Sequence, residues 1–129
     1  MIYLDTSVAL AQLLAEDRQP SAALWQEPLV ASRLLEFELW ARIHARALSR
    51  SHTEPTRALL GRVAFLEMIP EVLTRALEPF PTAVRTLDAL HLASIEFLRA
   101  QGVRVQLATF DERMSLAAQH MRIPLYQPL

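Results

Sequence analysis

Four acids in this chain stand at places where a carboxylate can either do chemistry or merely shape the fold: Asp5, Glu38, Asp88 and Asp111. Asp5 closes the apolar run Ile2-Tyr3-Leu4 and precedes a helical stretch, a position that equally suits a turn or cap residue. Glu38 lies within Ser32-Arg33-Leu34-Leu35-Glu36-Phe37-Glu38, where helical spacing puts Leu34, Leu35, Ala41 and Ala45 on its side and Arg42 one turn later. An ion pair with Arg42 would account for it at about 0.3–0.5 kcal/mol, yet a partly apolar face is an uncomfortable place for an acid without a task. Glu36 points to roughly the opposite side and reads as solvated. Asp88 falls in the first turn of a helix, where the dipole favours a negative charge by about 0.3–1 kcal/mol. Asp111 precedes the last helical stretch, as an N-cap would.

Other chemistries find no residues to carry them. There is no cysteine, so no disulfide framework, thiolate metal site or thiol nucleophile. The only glycines, Gly61 and Gly102, cannot build a phosphate-cradling loop or a dinucleotide fingerprint. The four histidines, His44, His52, His91 and His120, form no His-Glu-x-x-His pair, and no Gly-x-Ser-x-Gly elbow occurs. His91 reads as a packed, hydrogen-bonded helix residue rather than a ligand. What remains is oxygen-ligand chemistry, which suits Mg²⁺ or Mn²⁺. Four carboxylates facing one crevice would repel one another, and a divalent cation would supply the missing charge.

The elements that must position these acids alternate short apolar runs with amphipathic stretches, the pattern of an α/β fold. Strands are expected at Ile2–Asp5, Leu29–Ala31, Glu67–Ile69, Arg104–Thr109 and Leu125–Tyr126. Helices are expected from a Thr6 or Ser7 cap to about Ala15, at Ser21–Gln26, from a Ser32 cap through about Ser49, at Pro55–Leu66 and at Glu71–Leu77. Two more run from a Thr86 cap to about Gln101, with Gly102 just beyond, and onward from Asp111. Pro79 and Pro81 interrupt the chain before the Thr86 helix. The result is one domain with a central parallel sheet of about five short strands flanked by helices. In such a sheet function gathers at the carboxyl ends of the strands, where Asp5 and Asp111 stand.

The 129 residues carry net charge −1, so nucleic acid would have to be met by a local patch rather than by global attraction. Every basic residue is arginine, whose planar fork grips phosphate at two points. Arg33, Arg42 and Arg46, with Arg50, Arg57 and Arg62 after them on the predicted helix pair, are candidates for phosphate contact, with solvated helix faces as an explanation at least as good. Trp25 and Trp40 suit core or interface packing better than base stacking. The 52% hydrophobic content is rich for a small monomer and points to apolar surface that faces a partner. No secretory signal or membrane span is visible, and the cysteine-free chain suits the cytoplasm.

Taken together, the four acidic segments resemble the motifs of PIN-domain ribonucleases. Tyr3-Leu4-Asp5-Thr6-Ser7 is similar to the family's opening motif, Ser32 to Glu38 and Ala41 to the helix with its second acid, and Thr109-Phe110-Asp111 to its fourth motif. The segment from Leu87 to Ala93, with Asp88-Ala89-Leu90-His91, is the most specific match. The blocks stand in family order across nearly the whole chain, and the short length resembles the VapC toxin of VapBC toxin–antitoxin pairs. The resemblance implies a single PIN-like domain, an Mg²⁺- or Mn²⁺-dependent endoribonuclease site of Asp5, Glu38, Asp88 and Asp111, and Thr6, Ser7 and Thr109 orienting those acids. It further implies a 3′-hydroxyl and a 5′-phosphate at the break, a homodimer, and an antitoxin over an apolar groove. One departure is His120-Met121-Arg122, where the family often carries glycine. Two rival readings are a phosphatase or phosphotransfer domain using Asp5 as nucleophile, and a non-catalytic RNA- or protein-binding module. The first wants an aspartate two residues after Asp5, where Ser7 stands.

Overall fold

A computed structural model describes residues 1–129. Four parallel strands, β1 (Ile2–Leu4), β2 (Leu29–Ser32), β3 (Val63–Leu66) and β4 (Gln106–Ala108), form one sheet in the order β3-β2-β1-β4. Six α-helices surround it: α1 (Thr6–Leu13), α2 (Leu34–Ala45), α3 (Ser49–Leu60), α4 (Pro70–Ala76), α5 (Thr86–Ala100) and α6 (Glu112–His120), with a 3-10 helix at Ala22–Gln26.

The central strand shows why the sheet needs cover on both sides. Ile2 and Leu4 point into a cluster with Val8, Ala9, Leu35, Leu39 and Leu59 from the first three helices. Tyr3, between them, points the other way, into a cluster with Leu92, Ile95, Met114 and Ala117 from α5 and α6. Successive side chains alternate faces, so a strand buried on both reads as a continuous apolar run. Each fully buried leucine contributes about 1.5–3 kcal/mol. The chain builds outward from β1 through β2 to β3, then returns to place β4 on the other side of β1. The reversal beside β1 puts the strand ends of β1 and β4 at the switch point where parallel sheets open a crevice.

Several boundaries depart from expectation. Asp5 leaves the strand and becomes the N-cap of α1, so neither Thr6 nor Ser7 holds that position. Helix α2 stops at Ala45 because Ala47 turns left-handed at φ 54, and α3 then starts at Ser49, well before Pro55, which lies inside it. That earlier start lets α3 end at Leu60, freeing Val63–Leu66 to pair with Leu29–Ser32. The third strand is therefore this apolar stretch and not Glu67–Ile69. Ser32 ends β2 and Arg33, not Ser32, takes the cap position of α2, although the Ser32 hydroxyl accepts the Leu34 N–H at 3.1 Å. Thr86 is the first helical residue of α5 and not its cap; Arg85 precedes it, and the Asp88 carboxylate accepts the Arg85 N–H at 3.4 Å. The expected fifth strand shrinks to one bridge, Leu107 with Leu125. At the end of α6, Arg122 adopts φ 58, the conformation for which glycine is the unstrained choice.

Candidate active site

Asp5, Glu38, Asp88 and Asp111 all line one crevice of about 640 Å³. Its other walls include Thr6, Ser7, His91 and Phe110. Asp5 arrives as the cap of α1 at the end of β1, and Asp111 as the cap of α6 just after β4. Asp88 comes from the first turn of α5, and Glu38 from the middle of α2.

Asp5 is buried, and all its side-chain hydrogen bonds fall on Oδ2. The donors are the Ser7 hydroxyl at 2.5 Å, the Thr109 hydroxyl at 2.8 Å and the Ser7 N–H at 3.3 Å. Each hydroxyl in turn accepts a backbone N–H beyond β4: Ser7 from Phe110 at 3.0 Å and Thr109 from Asp111 at 3.0 Å. A hydroxyl has one proton to donate and lone pairs to accept with, so this arrangement directs both protons at Asp5.

Glu38 accepts two hydrogen bonds on Oε1, from the Thr6 hydroxyl at 2.8 Å and from His91 Nε2 at 2.6 Å. It forms no pair with Arg42. Asp111 accepts the Arg113 and Met114 N–H groups on Oδ1, at 2.8 and 3.2 Å, and Asp88 accepts the Arg85 N–H on Oδ2. The pattern repeats four times: the protein holds one oxygen of each carboxylate and makes no hydrogen bond to the other.

Charge confirms that these groups share one field. Partial burial raises the Asp88 pKa above the ordinary carboxylate range, the charges of Asp111 and Asp5 add to the rise, and the Arg85 N–H and His91 oppose it. At His91 burial works against the charged imidazole. The hydrogen bond and charge of Glu38, with the charges of Asp5 and Asp88, outweigh it and raise the pKa. Burial drives the Tyr3 phenol far above its ordinary value, so it stays neutral.

No three carboxylate or imidazole side chains close tightly enough to enclose an ion directly. The donor set nonetheless fits Mg²⁺ or Mn²⁺ in kind: each of the four carboxylates keeps one hard oxygen without a protein partner, and such ions retain several of their waters when bound. Both His91 nitrogens are occupied, by Tyr3 and by Glu38, which removes it as a ligand.

The arginines divide sharply. Arg42, Arg18, Arg85 and Arg113 line the acidic crevice without any carboxylate partner within ion-pair distance, and Arg18 lies 4.7 Å over the Phe110 ring. Arg33 is held by Glu67 at 2.9 Å and by Glu36 at 3.4 Å, over the Phe65 ring. Neither Arg33 nor Arg46 reaches the crevice lining. Sequence position grouped Arg33, Arg42 and Arg46 because they share a helix; only the fold brings Arg18, Arg85 and Arg113 beside Arg42. The role of His91 toward Glu38 was likewise hidden, although its spacing three residues after Asp88 puts both on one helical face. Trp25 and Trp40 pack against the core cluster instead of the crevice.

Residues 2–119 match the family model described as PIN domain. Among curated proteins the chain is 29% identical to ribonuclease VapC35 of Mycobacterium tuberculosis, covering 99% of this chain and 97% of that one. It is 30% identical to ribonuclease VapC47 of the same organism, covering 88% and 87%. Among solved structures it is similar to VapC20 of Mycobacterium tuberculosis, described as a sarcin–ricin loop cleaving toxin. The TM-score is 0.67 at 22% identity, over 91% of this chain and 95% of that one, a likeness of fold.

Proposed function

The chain belongs to the PIN-domain family, and on that premise we propose that it is a divalent-metal-dependent endoribonuclease, the VapC-type toxin of a toxin–antitoxin pair. The observation that carries this reading is the fourfold pattern of carboxylates in one crevice, each held by one oxygen and leaving the other without a protein partner. Asp5, Glu38, Asp88 and Asp111 would hold Mg²⁺ or Mn²⁺, with Thr6, Ser7 and Thr109 fixing the orientation of Glu38 and Asp5. The bound cation would offset the mutual repulsion of the acids, polarise the scissile phosphate and make water a better nucleophile.

The residues of the chain do the rest. Arg18, Arg42, Arg85 and Arg113 ring the acids and offer forked donors to the phosphates of a strand laid across the crevice. A water oxygen joins phosphorus as the P–O3′ bond breaks, leaving a 3′-hydroxyl and a 5′-phosphate. Arg33 and Arg46 drop out of the phosphate track. Arg42→Gln or Arg85→Gln should weaken RNA binding and lower the slope of log affinity against log salt by about 0.7 for each phosphate no longer neutralised. Arg33→Gln should leave that slope unchanged.

Partners follow from the same premise: an RNA substrate, a cognate antitoxin and a second copy of the chain, in the cytoplasm. Leu77, 87% exposed, lines one groove with Leu73, Phe80, Val84 and Leu90, an apolar surface that suits a protein partner. No helix is long and apolar enough to cross a membrane.

The test is cleavage of a mixed cellular RNA pool by purified, antitoxin-free protein in Mg²⁺, in Mn²⁺ and in EDTA, with Asp88→Asn alongside. Cleavage that needs the metal and is lost in the variant supports the reading. Folded protein that cleaves nothing under any condition points instead to a binding module.

A further inference from the structure

Glu38 is the one acid of the four that reaches the crevice from mid-helix, with no helix N-terminus or adjacent turn to hold it. A glutamate has three rotatable bonds between backbone and carboxylate, so an unheld Glu38 would sample many directions. Two donors restrain it, and both act on Oε1: Thr6 at 2.8 Å and His91 Nε2 at 2.6 Å. His91 is itself fixed. It is 1% exposed, and its Nδ1 lies 2.7 Å from the hydroxyl of Tyr3, which is fully buried. The Tyr3 oxygen accepts the Ser32 N–H at 3.1 Å, which leaves its own proton free to point at Nδ1. In the neutral imidazole Nδ1 accepts from Tyr3, and the ring proton on Nε2 is donated to Glu38. A carboxylate cannot donate, so the Nε2–H···Oε1 direction also holds if the imidazole is charged. A continuous line therefore runs from the backbone at the end of β2, through a phenol from β1 and an imidazole from α5, to one oxygen of a carboxylate on α2.

We propose that His91 and Tyr3 are positioning residues of the metal site, which orient Glu38 by holding Oε1 so that Oε2 alone faces the crevice. This rests on the assignment of Glu38 to that site. Hydrogen-bond partners behind a metal-binding side chain typically govern ten- to hundredfold in metal affinity or activity. His91 is assigned that role, with Tyr3 holding the imidazole ring at Nδ1 so that Nε2 faces Glu38.

A purely packing role for His91 makes different predictions. His91→Leu replaces the imidazole with an apolar group of similar bulk and removes the donor. His91→Gln keeps an amide donor at about the reach of Nε2. Binding of Mn²⁺ by calorimetry, together with kcat and KM on a cleaved RNA, separates the two roles. His91→Leu should lower Mn²⁺ affinity about ten- to hundredfold and reduce kcat with KM for RNA unchanged. His91→Gln should recover most of both losses. Tyr3→Phe, the milder change, should shift both in the same direction by less. In a Glu38→Gln background His91→Leu should add little, because the group it orients is already altered.

Wild-type Mn²⁺ affinity and kcat in folded His91→Leu overturn the proposal. So does a His91→Gln variant no better than His91→Leu. Should His91→Leu fail to fold, Tyr3→Phe at wild-type affinity and kcat overturns it. If Glu38→Gln by itself binds Mn²⁺ and cleaves as wild type, the assignment of Glu38 falls first and this proposal falls with it.

Discussion

The four acids reach the crevice by two different routes. Asp88 and Asp111 belong to the first turn and the cap of a helix, and their hydrogen-bond donors are backbone N–H groups within three residues of them. Asp5 and Glu38 also take side-chain donors from distant segments: Asp5 adds Thr109, beyond β4, to the local hydroxyl and N–H of Ser7, and Glu38 relies on Thr6 and His91. The first pair is held by local helix geometry alone, whereas the second is held also by the packing of the whole domain. Mutations should therefore reach the second pair from a distance, and the first pair only through its own residues.

The largest effect should come from the acids themselves. Asp5→Asn, Asp88→Asn and Asp111→Asn should each reduce metal-dependent cleavage by more than about a hundredfold, beyond the usual loss of an outer hydrogen-bond partner, with the circular dichroism of the fold unchanged. Equal activity in any one of them would remove that residue from the site. The next effect sharpens the contrast. Thr109→Val keeps the shape but withdraws a proton donor from Asp5, and should cost about ten- to hundredfold in activity.

Asp111 allows its two duties to be separated. Asn is as good an N-cap as Asp, whereas Ala is not. Asp111→Ala should lose about 1 kcal/mol of stability as well as activity, and Asp111→Asn should lose activity with stability nearly unchanged. Chemical denaturation of both variants measures the difference.

The smallest effect concerns pH. The Asp88 pKa is raised in the fold, first by partial burial and then by the charges of Asp111 and Asp5. The folded state thus binds this proton more tightly than the unfolded chain does. Stability without divalent metal should fall as pH rises from the ordinary carboxylate range through the raised value, and stay lower above it. Asp88→Asn should remove that loss, so the Tm gap between variant and wild type should open from acid toward neutral pH. A gap that is the same at both ends would contradict the electrostatic account.

The same contrast explains what could be read from the sequence. The Asp111 cap and the first-turn position of Asp88 are local patterns, and both stand as expected. The α/β class also follows from local pattern, because Ile2–Leu4 and Leu29–Ser32 are apolar runs between helical stretches. Boundaries were less legible where a backbone conformation decides them. Nothing about Ala47 announces a left-handed residue, and without that break the run from Ser32 reads as one long helix and Pro55 as the start of the next. Asp5 reads as a possible cap, but its tie to Thr109 crosses 104 residues and exists only once β4 lies beside β1. The crevice arginines are of the same kind: Arg18, Arg85 and Arg113 come from three separate segments, and only their shared lining of the site relates them.

The most direct test of the account is divalent-metal binding, measured apart from any RNA. Calorimetric titration of Mn²⁺ into the wild-type protein and into Asp5→Asn, Glu38→Gln, Asp88→Asn and Asp111→Asn asks whether four residues distant in sequence act as one site. The account predicts measurable binding to the wild type that weakens by at least about tenfold in every variant. Binding that is absent from the wild type, or equally strong in all four variants, would contradict it.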